Sequence, residues 1–347
     1  MKRQLKILNL IDIPWHSGLC DYAIKQSEAL EKAGNIIYFA APFKSNAYFL
    51  ANSKKYKTFL ISDRKKILNP VEIYKLCKFI KKEKIDILNA HTGRMQTLSY
   101  LISLLCKDIK IIRTKSDARK IKKSFTYSKI KAIICGSEYI KKMYLNAGFK
   151  KIMLKTIYAP PPDQILKPFE LKLPFKIGIV GRLDPVKGHI NFISAALKVL
   201  KKNNNILFYI SGKEANIKWK DIEKLIPQNF RSYFKYFGFV KNVFDLMGEC
   251  HLGIISSISS EAVSRVALEW MNMARAVISS NVGSLPEFID KDYLYPANNV
   301  DALASKIIEN LDFEKLMKIG EKNKAKVDLK FSIDNFEKET NEIFQNI

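Results

Sequence analysis

Short apolar runs alternate with longer amphipathic stretches in two successive series, and that alternation restricts the chain to parallel sheets covered by helices. In the first series, strand-like runs fall at 5–13, 36–41, 85–90, 111–114 and 132–135, with helical periodicity at 20–33, 71–84 and 96–105. Residues 158–175 break the pattern. Pro160, Pro161, Pro162, Pro168 and Pro174 crowd a helix-poor stretch that reads as an interdomain linker. The second series has strands at 175–180, 206–210, 234–237, 252–256 and 276–280 and helices at 191–202, 219–225, 262–273 and 302–310. A last amphipathic helix closes the chain over 332–347. The expected fold is α/β, with two Rossmann-like domains at 1–165 and 166–330 and the helix over 331–347 returning to the first. Sheets of this kind bind ligands beyond the carboxyl ends of their strands, so a cleft between two facing domains is the expected site.

Composition narrows the class. The 347 residues, 47% of them apolar, suffice for two cores. No run reaches the roughly 18 apolar residues of a membrane span. Lys2 and Arg3 precede an apolar run as in a signal peptide, but Asp12 interrupts it and Pro14 follows, so it reads as a buried first strand. Cys20, Cys77, Cys106, Cys135 and Cys250 are scattered without paired spacing, the pattern of reduced thiols in a cytosolic protein. The net charge of +25 is lopsided: residues 1–165 carry 33 Lys/Arg against 12 Asp/Glu, and the remainder 26 against 22. A field confined to one half points to a polyanionic neighbour, either nucleic acid, an anionic membrane surface or an acidic substrate. The basic half has no helix-turn-helix signal, zinc ligands or aromatic RNP-type strand. A nucleic-acid-binding protein is therefore kept only as the alternative from another class.

The chemistry concentrates in the second series. After the strand at 175–180 the chain reads Gly181-Arg182-Leu183-Asp184-Pro185-Val186-Lys187-Gly188. Two cations just past a strand end suit a diphosphate, whose growing charge they neutralise as it departs. The spacing is not that of a Walker loop, and His189 follows Gly188. Taken alone, Arg182 and Lys187 are equally well explained as surface cations in a turn. Further on, Glu261 and Glu269 stand eight residues apart, with Ser259 or Ser260 placed to cap an intervening helix. Eight helical residues span about 12 Å, roughly an extended nucleotide-sugar from sugar to ribose. The helix start between them would offer N–H groups to a diphosphate.

These residues resemble the retaining glycosyltransferases of family 4, which have the GT-B fold. The resemblance is densest over 178–187 and 256–287, where Glu261 and Glu269 match the family's Glu-x7-Glu signature. It implies that Arg182 and Lys187 bind the donor diphosphate, Glu261 the donor sugar and Glu269 the ribose. Gly181, Gly212, Phe239, Ala262, Val263, Ser264 and Arg265 are taken as further donor-binding residues. This chain has Ala262 and Ser264 where the family often has Gly and Pro, and Arg275 and Ser284 where it commonly has Gly. In the first series, Trp15-His16-Ser17-Gly18 resembles the family's glycine loop near the transferred sugar, which gives Ser17 and Gly18. His91 resembles a histidine at the cleft and is placed among the catalytic residues. Arg113-Thr-Lys115-Ser-Asp117-Ala-Arg119 resembles a stretch of relatives that build bacterial surface polysaccharides. Ser137-Glu138 resembles a further cleft position.

The expected activity is metal-independent transfer of a sugar from a nucleotide-sugar to a glycan or lipid-linked acceptor, in lipopolysaccharide or other surface-polysaccharide synthesis. No cofactor is expected, since Asp290-Lys-Asp292 reads as a polar loop and the His and Cys residues are not clustered. A GT-B sugar-nucleotide epimerase is the nearest enzymatic alternative, and a phosphorylase-like enzyme stands beside it. The expected location is cytoplasmic, with the basic first domain peripheral on the inner face of the cell membrane and no nucleic acid as partner.

Overall fold

The computed structural model describes residues 3–15, 17–62, 68–259 and 261–347. His16 of the expected glycine loop and Ser260, one of the two expected capping residues, lie outside the described residues. The chain divides into two units, Met1–Ala159 with Ile333–Ile347, and Pro160–Ser332. The division falls earlier than the expected boundary at 165, and all five prolines of the expected linker belong to the second unit.

Among the described residues of the first unit, seven strands alternate with helices. They run β1 (Lys6–Leu10), α1 (Gly18–Lys32), β2 (Ile36–Pro42), α2 (Asn46–Ser53), β3 (Lys57–Ile61), α3 (Pro70–Glu83), β4 (Ile87–Ala90), α4 (Gly93–Leu105), β5 (Lys110–Lys115), β6 (Ile130–Cys135), α5 (Glu138–Asn146) and β7 (Met153–Thr156). The strands pair in parallel in the order β3-β2-β1-β4-β5-β6-β7. β1 and β4 are buried along almost their whole length, as a central parallel strand covered on both faces requires.

The second unit repeats the plan. Its elements are β8 (Phe175–Val180), α6 (His189–Leu200), β9 (Ile206–Ser211), α7 (Trp219–Glu223), β10 (Phe234–Tyr236), α8 (Val243–Glu249), β11 (Leu252–Ile255), α9 (Arg265–Asn272), β12 (Ala276–Ser280), α10 (Leu285–Phe288), β13 (Leu294–Tyr295), α11 (Val300–Ile308) and α12 (Phe313–Lys330). Its parallel order is β10-β9-β8-β11-β12-β13. The final helix, α13 (Ile333–Gln345), inserts Phe336, Ile343 and Phe344 into the first unit's core, and Phe336 meets Tyr22 edge to face at 5.7 Å.

Both orders place the first strand beside the fourth, so the chain winds outward in opposite directions from that junction. Loops leaving two such strands part at their carboxyl ends and leave room for a ligand. The junctions are β1/β4 and β8/β11.

The proline-rich stretch is strapped to the second unit. Asn272 Nδ2 donates to the Pro162 carbonyl at 2.9 Å, and the buried Arg275 donates to the carbonyls of Lys167 and Pro168. His251 Nδ1 accepts the Lys176 amide at 2.8 Å, which leaves Nε2 to donate to the Glu170 carbonyl at 2.8 Å. That pairing requires a neutral ring.

Candidate active site

At the β8/β11 junction two loops close on each other. The one after β8 turns through Pro185–Lys187 into α6, pivoting at Gly188 with φ +68. A Cβ at Gly188 would lie 1.9 Å from the Ser256 carbonyl oxygen, so both the angle and the approach require glycine. Ser256 Oγ donates to the Gly188 carbonyl at 2.9 Å, and the Ile258 amide donates to the Val186 carbonyl at 2.9 Å. Asp184 stiffens the turn, with Oδ1 accepting the Val186 amide and Oδ2 accepting Asn216 Nδ2.

This stitching brings Lys187 to Glu261. Nζ lies 2.5 Å from Oε1, and Ser257 Oγ donates to the same oxygen at 2.6 Å. Glu261 is buried, and its backbone is fixed from the far side, where Ser284 N donates to its carbonyl at 2.7 Å. Gly283, at φ +56, makes that approach possible, since a Cβ there would lie 2.0 Å from the Glu261 oxygen.

The sequence places Glu261 at the mouth of a helix capped by Ser259 or Ser260, and the structure corrects it. α9 begins at Arg265 with Ser264 at the cap, so Ser259 is not its cap. Residues 261–264 are irregular because Ser284 holds the Glu261 carbonyl, which would otherwise accept a helical bond. The 12 Å axial estimate therefore does not apply, although the start of α9 still lies between the two glutamates. Ala262 and Ser264 are buried, and the Ser264 hydroxyl has no partner. Glu269 stands one turn along, with Arg265 Nη2 3.8 Å from its Oε1.

The remaining donor-side residues are near neighbours in the fold. Arg182 is exposed, with Nη2 3.6 Å from Asp184 Oδ2. Gly181 N donates to the Ser211 carbonyl and Gly212 N to the Gly238 carbonyl, each at 2.9 Å. The strand ends of β8, β9 and β10 are thus tied side by side, and Phe239 projects into solvent beyond them. Val263 is half-buried.

At the first unit's β1/β4 junction, Thr92 Oγ1 donates to Asp12 Oδ1 at 2.6 Å. His91 lies beneath the surface, fully buried. Its Nε2 is 3.0 Å from Asn9 Oδ1 and 3.1 Å from Asn89 Nδ2. Asn89 in turn reaches Gln26, and Thr114 Oγ1 donates to Asn89 Oδ1. Arg113 is also buried, donating to the Ala90 carbonyl at 2.8 Å. Lys115, Asp117 and Arg119 do assemble, since Asp117 Oδ1 accepts Lys115 Nζ at 2.7 Å and the Arg119 amide at 2.8 Å. Ser137 caps α5 at the Ile140 amide. Ser17 sits at the α1 cap beside Gly18, with its hydroxyl toward Cys20 Sγ. Asp290, of the Asp-x-Asp pattern, is held by Lys322 at 2.7 Å and Lys326 at 3.3 Å.

Burial holds the rings of His91, His189 and His251 neutral. It pulls His91 down to about 3, helped by Arg113, and His189 to about 4, helped by Lys187. His251 is lowered for the same reason. An unfolded histidine titrates near 6.5, so on acidification the unfolded chain takes up protons that the folded chain refuses. This stability is complete above pH ~6.5 and is lost as pH falls below it, at about 1.4 kcal/mol per pH unit for each such ring. Urea unfolding at pH 7 and pH 5 should show that decline, with a shallower one for His91→Gln. Equal stability at both pH values would contradict it.

The sequence assigns the hydroxyls of Ser256 and Ser257 no role, since it singles out only Ser259 or Ser260 of this serine run, as a helix cap. The run's serine density just past a strand was the available signal.

The family model described as glycosyl transferases group 1 matches residues 174–312. A Methanocaldococcus jannaschii protein described as an uncharacterized glycosyltransferase is 28% identical over 282 residues, 76% of each chain. A Rickettsia africae glycosyltransferase superposes with a TM-score of 0.82 at 20% identity, covering 99% of this chain and 98% of its own. The protein is a glycosyltransferase with the GT-B fold. HepE from Anabaena, solved in complex with UDP, matches this glycosyltransferase with a TM-score of 0.82 at 15% identity, covering 99% of this chain and all of its own. The lipopolysaccharide outer core galactosyltransferase WaaB matches at 0.77 and 16% identity, over 99% and 100% of the two chains.

Proposed function

We propose that this glycosyltransferase moves a sugar, with retention at the anomeric carbon, from a nucleoside-diphosphate sugar to a glycan or lipid-linked acceptor in cell-surface polysaccharide synthesis, lipopolysaccharide included. The observation that carries this reading is the meeting of Lys187 and Glu261 at the β8/β11 junction. The junction supplies a cation, a carboxylate and the first amides of α9 at the place where doubly wound sheets hold ligands. HepE's structures with UDP and UDP-glucose support a donor of that kind, and WaaB's described role supports the acceptor class.

In this reading Arg182 and Lys187 neutralise the diphosphate as the anomeric carbon–oxygen bond breaks. The departing diphosphate oxygen takes the acceptor's hydroxyl proton while the acceptor oxygen bonds the same face of that carbon. Glu261 orients the sugar hydroxyls and Glu269 holds the ribose. Retention rests on the resemblance of the Glu261–Glu269 signature. The protein's own cations fill the part that a divalent ion plays elsewhere, so no metal is required. The first unit takes the acceptor, and its basic surface places the enzyme against an anionic membrane.

The test is transfer from UDP-, GDP- and ADP-sugars in excess EDTA, with calorimetry of the free nucleoside diphosphates. Transfer should persist in EDTA. Glu269→Ala should weaken nucleotide binding, whereas Glu261→Ala should spare it and cripple transfer. Abolition by EDTA with recovery on Mn²⁺ would overturn the metal-free reading, and the reverse pattern in the two variants would overturn the donor's orientation.

A further inference from the structure

Three adjacent strands, β3, β2 and β1, end at one corner of the first unit, and the segments leaving them expose large apolar side chains. Trp15 follows β1, Phe43 follows β2, Phe49 lies on α2, and Val71 and Tyr74 lie on the first turns of α3. Each is more than half exposed. Phe43 and Phe49 flank Tyr48 at 5.4 and 5.6 Å. The corner is held in shape by polar bonds. Asn46 N donates to the Pro14 carbonyl at 3.1 Å, while Ser62 N and Oγ donate to the Glu72 carboxylate at 2.8 and 2.9 Å. Burying Glu72 in that contact turns Val71, Tyr74, Lys75 and Lys78 outward, along one face of α3 at helical spacing. Lys44 lies over the Phe43 ring at 5.4 Å.

An exposed cluster of this kind marks an interaction surface. Its composition selects the partner, because aromatic and aliphatic side chains interleaved with lysine enter the headgroup boundary of a bilayer while the ammonium groups stay with lipid phosphates. The unit's charge agrees, with 34 Lys/Arg against 15 Asp/Glu once α13 is included. We propose that this corner is where the enzyme docks on an anionic phospholipid surface, with the carboxyl ends of β1–β3 toward the lipid. The proposal rests on the reading of a membrane-borne acceptor and adds its orientation. It brings the strand ends that carry Ser17 and Gly18 to the lipid, the geometry in which a lipid-linked acceptor meets that loop without leaving the bilayer.

The rival orientation has its own cations. At the amino ends of β4 and β5 a cavity of about 620 Å³ is lined by Lys81, Lys84, Lys107 and Lys110. Docking there would turn the strand carboxyl ends away from the lipid.

Co-sedimentation with vesicles of phosphatidylglycerol and phosphatidylcholine in equal parts separates the two. The wild type should bind these vesicles at low salt and ignore pure phosphatidylcholine. Phe43→Ser with Phe49→Ser should lower binding by about tenfold or more. Lys44→Glu with Lys75→Glu and Lys78→Glu should lower it by about 100-fold. The triple variant Lys81→Glu, Lys84→Glu, Lys107→Glu should lose far less. Brominated lipid should quench tryptophan emission in the wild type, and Trp15→Phe should remove the quenching. All variants change exposed side chains, and thermal unfolding checks that each is folded. Wild-type binding that survives the aromatic changes, or falls most with the amino-end triple, overturns the docking corner alone. A wild type that ignores anionic vesicles overturns the membrane reading with it.

Discussion

Lys187→Ala is expected to lower the turnover of sugar transfer by about 10²–10³-fold, the usual loss when one preorganised donor to a developing anion is removed. The structure adds a second consequence. Lys187 is the cation beside the buried Glu261 carboxylate, so its removal leaves that charge, among the described residues, with the Ser257 hydroxyl as its partner and destabilises the fold. Arg182 pairs with Asp184 at 3.6 Å and is largely exposed. Arg182→Ala should therefore cost turnover to a similar extent while leaving the melting temperature unchanged. Measuring kcat and thermal unfolding on both variants separates diphosphate neutralisation from support of Glu261. Near-normal turnover in both would remove the diphosphate site from this turn.

Arg275→Ala is expected to cost about 3–5 kcal/mol of stability, the range for emptying a large buried site and orphaning its acceptors. The guanidinium is buried and reaches five carbonyls. Nη1 donates to Met273 at 3.0 Å and Ala274 at 3.5 Å, and Nη2 to Gly248 at 2.6 Å, Lys167 at 3.1 Å and Pro168 at 3.3 Å. It also faces the Phe169 ring. Lysine cannot replace it, because one ammonium lacks the planar fork that spans these acceptors. Urea unfolding of Arg275→Ala and Arg275→Lys tests this, and a loss below about 1 kcal/mol for the alanine variant would contradict the clasp.

Arg275 also shows where sequence reasoning stopped. It stood out only as a departure from a glycine common in the family, with nothing to say that it binds the proline-rich stretch. Prolines signal an extended path but not what that path lies against, so residues 160–174 read as a linker although they pack with the second unit. The inner strands were legible because buried parallel strands are continuous apolar runs. The edge strands β3 and β7 were not, since Lys57–Ile61 and Met153–Thr156 are half exposed and carry lysine. In the candidate site, Arg182 and Lys187 stand out as cations that suit a diphosphate, and Glu261 and Glu269 by a spacing that resembles a family signature for sugar and ribose contacts. The delayed start of α9 does not stand out, because it depends on a bond from Ser284, twenty-three residues away in sequence. The burial of His91 was equally invisible, for only the fold shows that Asn9 and Asn89 close on its ring.

The return of α13 to the first unit has a consequence for how the molecule is made. A ribosome releases residues 160–332 before it releases Phe336 and Phe344, which complete the core against α1 and β2. The second unit, continuous in sequence, has all its parts in hand first. The first unit must wait through that whole interval with the apolar face around Tyr22 uncovered. The half synthesised earliest is thus the half finished last, and during that wait its unfinished core is exposed to aggregation and to chaperones.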